Sequence, residues 1–135
     1  MGTAENKEVV RQLREAKGLE PMLATMADDV RWTIIGTTKY SHVMNGKQEI
    51  IDKLLKPIFA QLESMGSTQI DNVIAEGDYV VLQQHATGRT TKSGHSYNNT
   101  YCLVYKVLEG KVLEGKIKEI TEYLDTELVT AAFGR

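Results

Sequence analysis

The chain has 135 residues, 41% hydrophobic and 25% charged, with a formal net charge of -2. That length fits one domain, spanning 1–135, around a single core, and the scattered charge leaves no basic stripe for nucleic acid. No apolar run is long enough to span a bilayer, so no membrane is expected, and the polar start Met1-Gly2-Thr3-Ala4-Glu5 is unlike a secretory signal.

The single cysteine, Cys102, excludes an internal disulfide and fits a reducing cytoplasm. It reads as a small buried hydrophobe. The three histidines, His42, His85 and His95, stand at no ligand spacing with it, so neither a metal nor a cofactor is expected.

Along the chain, Val9, Val10, Leu13 and Ala16 predict a first helix stopped near Gly18. Pro21 suits the first turn of a second helix, with Leu23, Met26 and Ala27 as its apolar side. Val30 to Ile35 reads as a strand ending at Gly36. Residues 37–46, with Tyr40 and His42, read as a solvated loop. Asn45 and Gln48 have the spacing of a capping box for the next helix. That helix carries Ile50, Ile51, Leu54, Leu55, Ile58, Phe59 and Leu62 at helical spacing, with a kink expected near Lys56 because Pro57 interrupts it.

The second half alternates short β-rich runs with glycine turns: Gln69–Ala75, Tyr79–Gly88, Tyr97–Leu108 and Ile117–Leu124. Glu76-Gly77 signals a tight hairpin and Ser93-Gly94 a looser one. Lys106-Val107-Leu108-Glu109-Gly110 is repeated at once as Lys111-Val112-Leu113-Glu114-Gly115. An odd insertion within a strand would reverse every later side chain, so the extra residues belong in the hairpin tip or a bulge. Asp125 stands where it can cap a short final helix. Helices first and a meander after predict an α+β fold with helices on one face of a curved antiparallel or mixed sheet.

This order, with Trp32 on the first strand and Gly46 before the long helix, resembles a known family. The segments that carry the likeness are Ala75-Glu76-Gly77-Asp78, Tyr97-Asn98-Asn99-Thr100-Tyr101, Glu114-Gly115-Lys116-Ile117 and Glu122-Tyr123-Leu124-Asp125-Thr126. Together they resemble the SnoaL-like, ketosteroid-isomerase-like proteins of the nuclear-transport-factor-2-like superfamily. The resemblance implies a cone-shaped, cystatin-like α+β barrel around an internal pocket for a small apolar molecule. It also implies a homodimer through the outer sheet face. Its relatives include ketosteroid isomerases, polyketide cyclases, scytalone dehydratase and limonene-epoxide hydrolases. The epoxide hydrolases carry an Arg-x-Asp pair where this chain has Gln84-His85-Ala86. They also have a carboxylate where it has Glu122. The isomerases place a base at the end of the first strand, where this chain has Thr33-Ile34-Ile35-Gly36.

Strand alternation indicates which side chains could meet in such a pocket. With Val80, Leu82, Gln84 and Ala86 facing inward, the pocket gathers Trp32, Gln84, Asn99, Tyr101 and Glu122. Glu122 is the candidate proton carrier, because a carboxylate in an apolar cavity titrates near neutrality; the alternative is a surface glutamate paired with Lys118 or Arg31. Tyr101 could donate to a developing oxyanion or simply pack as a core aromatic. Asn99 and Gln84 could orient a carbonyl or satisfy backbone, and Trp32 would be pocket wall. His85 falls on the opposite face. Two functions remain open: a cofactor-free isomerase, cyclase or dehydratase, and a non-catalytic ligand-binding or dimerisation module.

Overall fold

The helix α1 (Thr3–Glu15) forms where Val9, Val10 and Leu13 recur on one face, and all three are buried. The structure is a computed structural model that describes residues 2–108 and 115–135, the Leu108 side chain excepted. The stop differs by a turn from expectation: α1 ends at Glu15, and Gly18, with φ of +106°, instead opens α2 (Leu19–Ala24). Asn6 is buried as well, and its Nδ2 donates to the carbonyl of Gly77, tying α1 to a hairpin far along the chain.

Met26 and Ala27, expected on α2, belong instead to β1 (Met26–Ile34). Met26 pairs with Ile117 across the sheet and is 1% exposed, so strand pairing overrides the helical spacing. The loop after β1 is also less solvated than expected. Tyr40 is buried edge-to-face against Phe133, with its hydroxyl bonded to the Gln61 amide, whereas His42 is exposed.

A short strand β2 (Val43–Asn45) leads into the central helical segment. Gly46, with φ of +86°, is its N-cap, and the Glu49 carboxylate accepts from the Asn45 amide at 2.6 Å. The reciprocal Asn45–Gln48 box is therefore displaced by one residue. The segment runs as α3 (Lys47–Ile50), a π-helical turn (Ile51–Leu55) and α4 (Lys56–Gln61). Pro57 has no N–H to offer residue 53, and the wider turn just before it is where the interruption expected near Lys56 is absorbed.

The remaining strands are β3 (Leu62–Ser64), β4 (Ser67–Glu76), β5 (Tyr79–Thr87), β6 (Thr90–Thr91), β7 (Thr100–Leu108) and β8 (Lys116–Leu124), followed by α5 (Thr126–Phe133). Six strands form one sheet in the order β2-β1-β8-β7-β5-β4, and β3 pairs with β6. Every pairing in the large sheet is antiparallel except β1 with β8, which is parallel. The sheet is curved and mixed but unclosed, so the barrel of the sequence-based expectation is an open one. The Glu76-Gly77 hairpin forms as expected, with Gly77 at φ +58°. Asp125 caps α5, its Oδ1 accepting from the amides of Glu127 and Leu128. The tip of the β7–β8 hairpin, one of the two places expected for the extra five residues, lies outside the described residues; as to the other, the β7–β8 register shifts between Lys106 and Val107.

The inner face of the sheet, with α1 against it, holds the core. Val80, Leu82, Ala86, Leu103, Tyr105 and Ile120 are all 5% exposed or less. The inward choice for β5 is therefore correct. Cys102 is on the other face and half-buried, because its partners Gln83 and Tyr123 face outward.

Candidate functional site

Register builds the site. Ile34, Glu122, Leu103 and Leu82 lie abreast on β1, β8, β7 and β5. One row to one side runs Trp32, Ile120, Tyr105 and Val80; one row to the other runs Leu124, Tyr101 and Gln84. Even spacing along each strand sends all three rows to the same face. The helical segment and α1 stand off this face and leave a cavity of about 500 Å³ between them. Trp32, Gln84, Tyr101 and Glu122 line it, with apolar walls from Leu13, Leu54, Ile58 and Leu103.

Glu122 is the chemical centre of this cavity. Its Oε1 accepts from the indole Nε1–H of Trp32 at 3.1 Å. The surface pairings considered for it do not form: Arg31 pairs with Glu119, and Lys118 with Asp29. Burial pushes the Glu122 carboxyl up to about 7, against smaller downward pulls from the Trp32 hydrogen bond and the Arg89 charge. Its remaining accessibility faces the cavity that it lines. A carboxylic acid poised there can hold or release a proton at neutral pH.

Tyr101 is buried, and its hydroxyl accepts from Nη1 of Arg89 at 3.3 Å. Burial drives its pKa far upward, and interaction with the neighbouring Tyr97 hydroxyl adds to the rise. It is a neutral phenol throughout the physiological range. Gln84 lines the cavity beside it and is half-buried.

Asn99 departs from expectation. It is fully buried but does not line the cavity. Its Oδ1 accepts from the amides of Thr100 and Asp125, and its Nδ2 donates to the Asp125 carbonyl and the Tyr97 hydroxyl. β7 begins only at Thr100, so alternation does not govern Asn99. Its side chain closes the junction between β7 and α5 instead, away from the cavity wall where it was expected.

Further polar lining residues, among them Tyr97, Tyr105 and Arg89, escaped the sequence reading. Tyr105 shares the inward series of Tyr101 and Leu103 on β7, which is the signal that points to it, whereas Tyr97 precedes the strand and is placed by tertiary structure. Arg89 had no such signal. It follows Gly88 in an irregular segment, and only tertiary structure turns it inward, where Nε donates to the Met65 carbonyl and Nη2 to Thr68. Gly66 makes that approach feasible: a Cβ there would lie 2.1 Å from the Thr87 carbonyl oxygen.

His85 faces outward as expected, its Nδ1 2.9 Å from the Asp71 carboxylate. Among the described residues no cluster of His, Cys, Asp and Glu could hold a metal ion, and no helix is long and apolar enough to cross a membrane. A wider depression of about 940 Å³ lies between α1 and α2 beside Gly115 and Lys116. It is open, and Arg11 along it already pairs with Glu8 and Glu15, so the Glu122 cavity is the better candidate.

Comparison with known proteins agrees with this architecture. Among curated protein sequences no match is found. Solved structures do match. An NTF2-like protein of unknown function from Burkholderia pseudomallei K96243 is 22% identical, with a TM-score of 0.82 over 100% of both chains. A candidate SnoaL-like polyketide cyclase from Jannaschia sp. CCS1 is 21% identical, with a TM-score of 0.73 over 98% of this chain and 93% of that one. A ketosteroid isomerase-like protein from Erwinia carotovora atroseptica is 15% identical, with a TM-score of 0.69 over 90% and 95%. At these identities the likeness is one of fold. The SnoaL-like domain family matches residues 8–118, and the chain belongs to that family.

Proposed function

We propose that the cavity is a cofactor-free proton-transfer site for a small, largely apolar cyclic or carbonyl compound, of the isomerase, cyclase or dehydratase type. The observation that carries this reading is the Glu122 carboxyl on the cavity wall, held by the Trp32 indole and, through burial, pushed up to about 7. A proton carrier works best with a pKa near the working pH. In this reading Glu122 takes a proton from carbon and returns it elsewhere. Tyr101, with Gln84 beside it, stabilises the oxyanion that forms between the two steps, and Trp32 forms part of the wall.

The test is deuterium incorporation next to the carbonyl of cyclic ketones, lactones and aromatic polyketide-like ketones, followed by mass spectrometry in heavy water. The wild type should accelerate exchange for at least one class, with a rate that rises through about pH 7. Glu122→Gln should lower it by about 10²–10⁴-fold, the usual contribution of a positioned base. Exchange no faster than buffer for every class, or unchanged in Glu122→Gln, would move the assignment to a non-catalytic module.

One observation supports an association role as well. On the outer sheet face, Thr33, Thr121, Val104, Val81 and Ile74 form an uncharged row across five strands, flanked by exposed Tyr79 and Tyr123. We assign this row to a homodimer contact. Light scattering of Val81→Glu should then show a monomer; an unchanged mass from a wild-type dimer would place the contact elsewhere.

A further inference from the structure

We infer that the ligand of this cavity is an organic anion: an apolar, ring-containing body that ends in one acidic group, whose oxygens are taken up by the Arg89 guanidinium. The inference rests on the cavity being the functional site, as proposed above, but not on proton transfer within it.

Two guanidinium groups line the cavity, Arg89 from the segment after β5 and Arg14 from α1. Among the described residues, neither is within ion-pair distance of a carboxylate. The acceptors of Arg89 are all uncharged: the Met65 carbonyl, the Thr68 hydroxyl and the Tyr101 hydroxyl. Those bonds use three of the five N–H groups of a guanidinium and leave two without a protein acceptor among the described residues. A half-buried guanidinium held on neutral acceptors is oriented without being neutralised.

The rest of the lining does not balance it. Among the described residues Glu122 is the only acid on the cavity wall, and burial favours its uncharged form. The phenols of Tyr97, Tyr101 and Tyr105 are kept neutral by burial, so they add no negative charge. The wall is therefore cationic on one side and apolar on the other. A cationic, partly dehydrated wall lowers the energy of an anion that displaces its water, and the planar fork of arginine matches a carboxylate in two bonds. Trp32 and the apolar walls accept the ring.

The probes are 8-anilinonaphthalene-1-sulfonate and its uncharged parent, N-phenyl-1-naphthylamine, which differ only in the acidic group. Binding is followed by probe fluorescence and by quenching of Trp32, the single tryptophan of the chain. The sulfonate should bind about ten-fold or more tightly than the neutral parent, the usual scale of a charge-assisted hydrogen bond. Arg89→Gln should remove that preference and leave the neutral probe unaffected. Should Arg89→Gln fail to fold by circular dichroism, the wild type and Arg89→Lys carry the test. Raising salt from about 0.05 to 0.5 M should weaken the sulfonate in both and leave the neutral probe alone, because screening acts only on the charged pair.

Equal affinity for the two probes overturns the inference and leaves the cavity as the functional site. A preference for the sulfonate that survives in Arg89→Gln, or that does not respond to salt, overturns the assignment to Arg89. If neither probe quenches Trp32, both this inference and the cavity reading fall.

Discussion

Replacing Glu122 by Gln removes the ionisation while keeping the size and the acceptor for Trp32. The folded carboxyl titrates near 7, whereas an unburied glutamate titrates near 4.5. The native state therefore holds a proton that the unfolded chain has already lost between these values. Stability follows the difference in bound protons, so this residue costs the wild type progressively more as pH rises from about 4.5 to about 7, and a constant amount above. At about 1.4 kcal/mol per unit, the rise from 4.5 to about 7 corresponds to about 3 kcal/mol.

The glutamine variant carries no such penalty. Its stability relative to the wild type should be nearly level below about pH 4.5 and should gain about 3 kcal/mol by pH 8, or roughly 10 °C in Tm for a domain of this size. The assay is urea or thermal unfolding of both proteins from pH 4 to 9, read as the difference at each pH so that other titrating groups cancel. The Trp32 fluorescence of the folded wild type supplies an independent titration curve, since its indole touches the titrating oxygen. A difference that stays flat across this range would mean that Glu122 ionises as a solvated carboxylate, and the burial argument would fail.

Asn99→Ala strips four hydrogen bonds from a fully buried junction and should cost about 3 kcal/mol or more in urea unfolding, while probe affinity in the cavity stays within about two-fold. A large loss of affinity in a stable Asn99→Ala would return this residue to the site. Gly66→Ala places a methyl against the Thr87 backbone at a φ of +60° and should destabilise by at least about 2 kcal/mol. It should also weaken sulfonate binding, because the same contact seats Arg89; tolerance of alanine at normal stability would refute that account.

The pattern of residues by itself determined the α+β class, the four long strands, the hairpin at Glu76-Gly77 and the cap at Asp125. Each depends on short-range rules: period two in a ladder, glycine at positive φ, and a side-chain oxygen near free amides. The same period placed Gln84, Tyr101 and Glu122 toward one side of the sheet, since direction is dictated residue by residue once a strand is paired. Tertiary structure decided the rest. Trp32 reaches Glu122 across 90 positions because β1 lies parallel to β8, and no local signal encodes that pairing. Asn99 and Arg89 lie outside the ladders, so alternation does not govern them. There, unmet backbone hydrogen bonds set direction: the junction with α5 claims Asn99, and the Met65 carbonyl draws Arg89 inward. The electrostatics of the cavity follow from those long-range placements, because burial and neighbouring charge are properties of the folded chain and not of any segment.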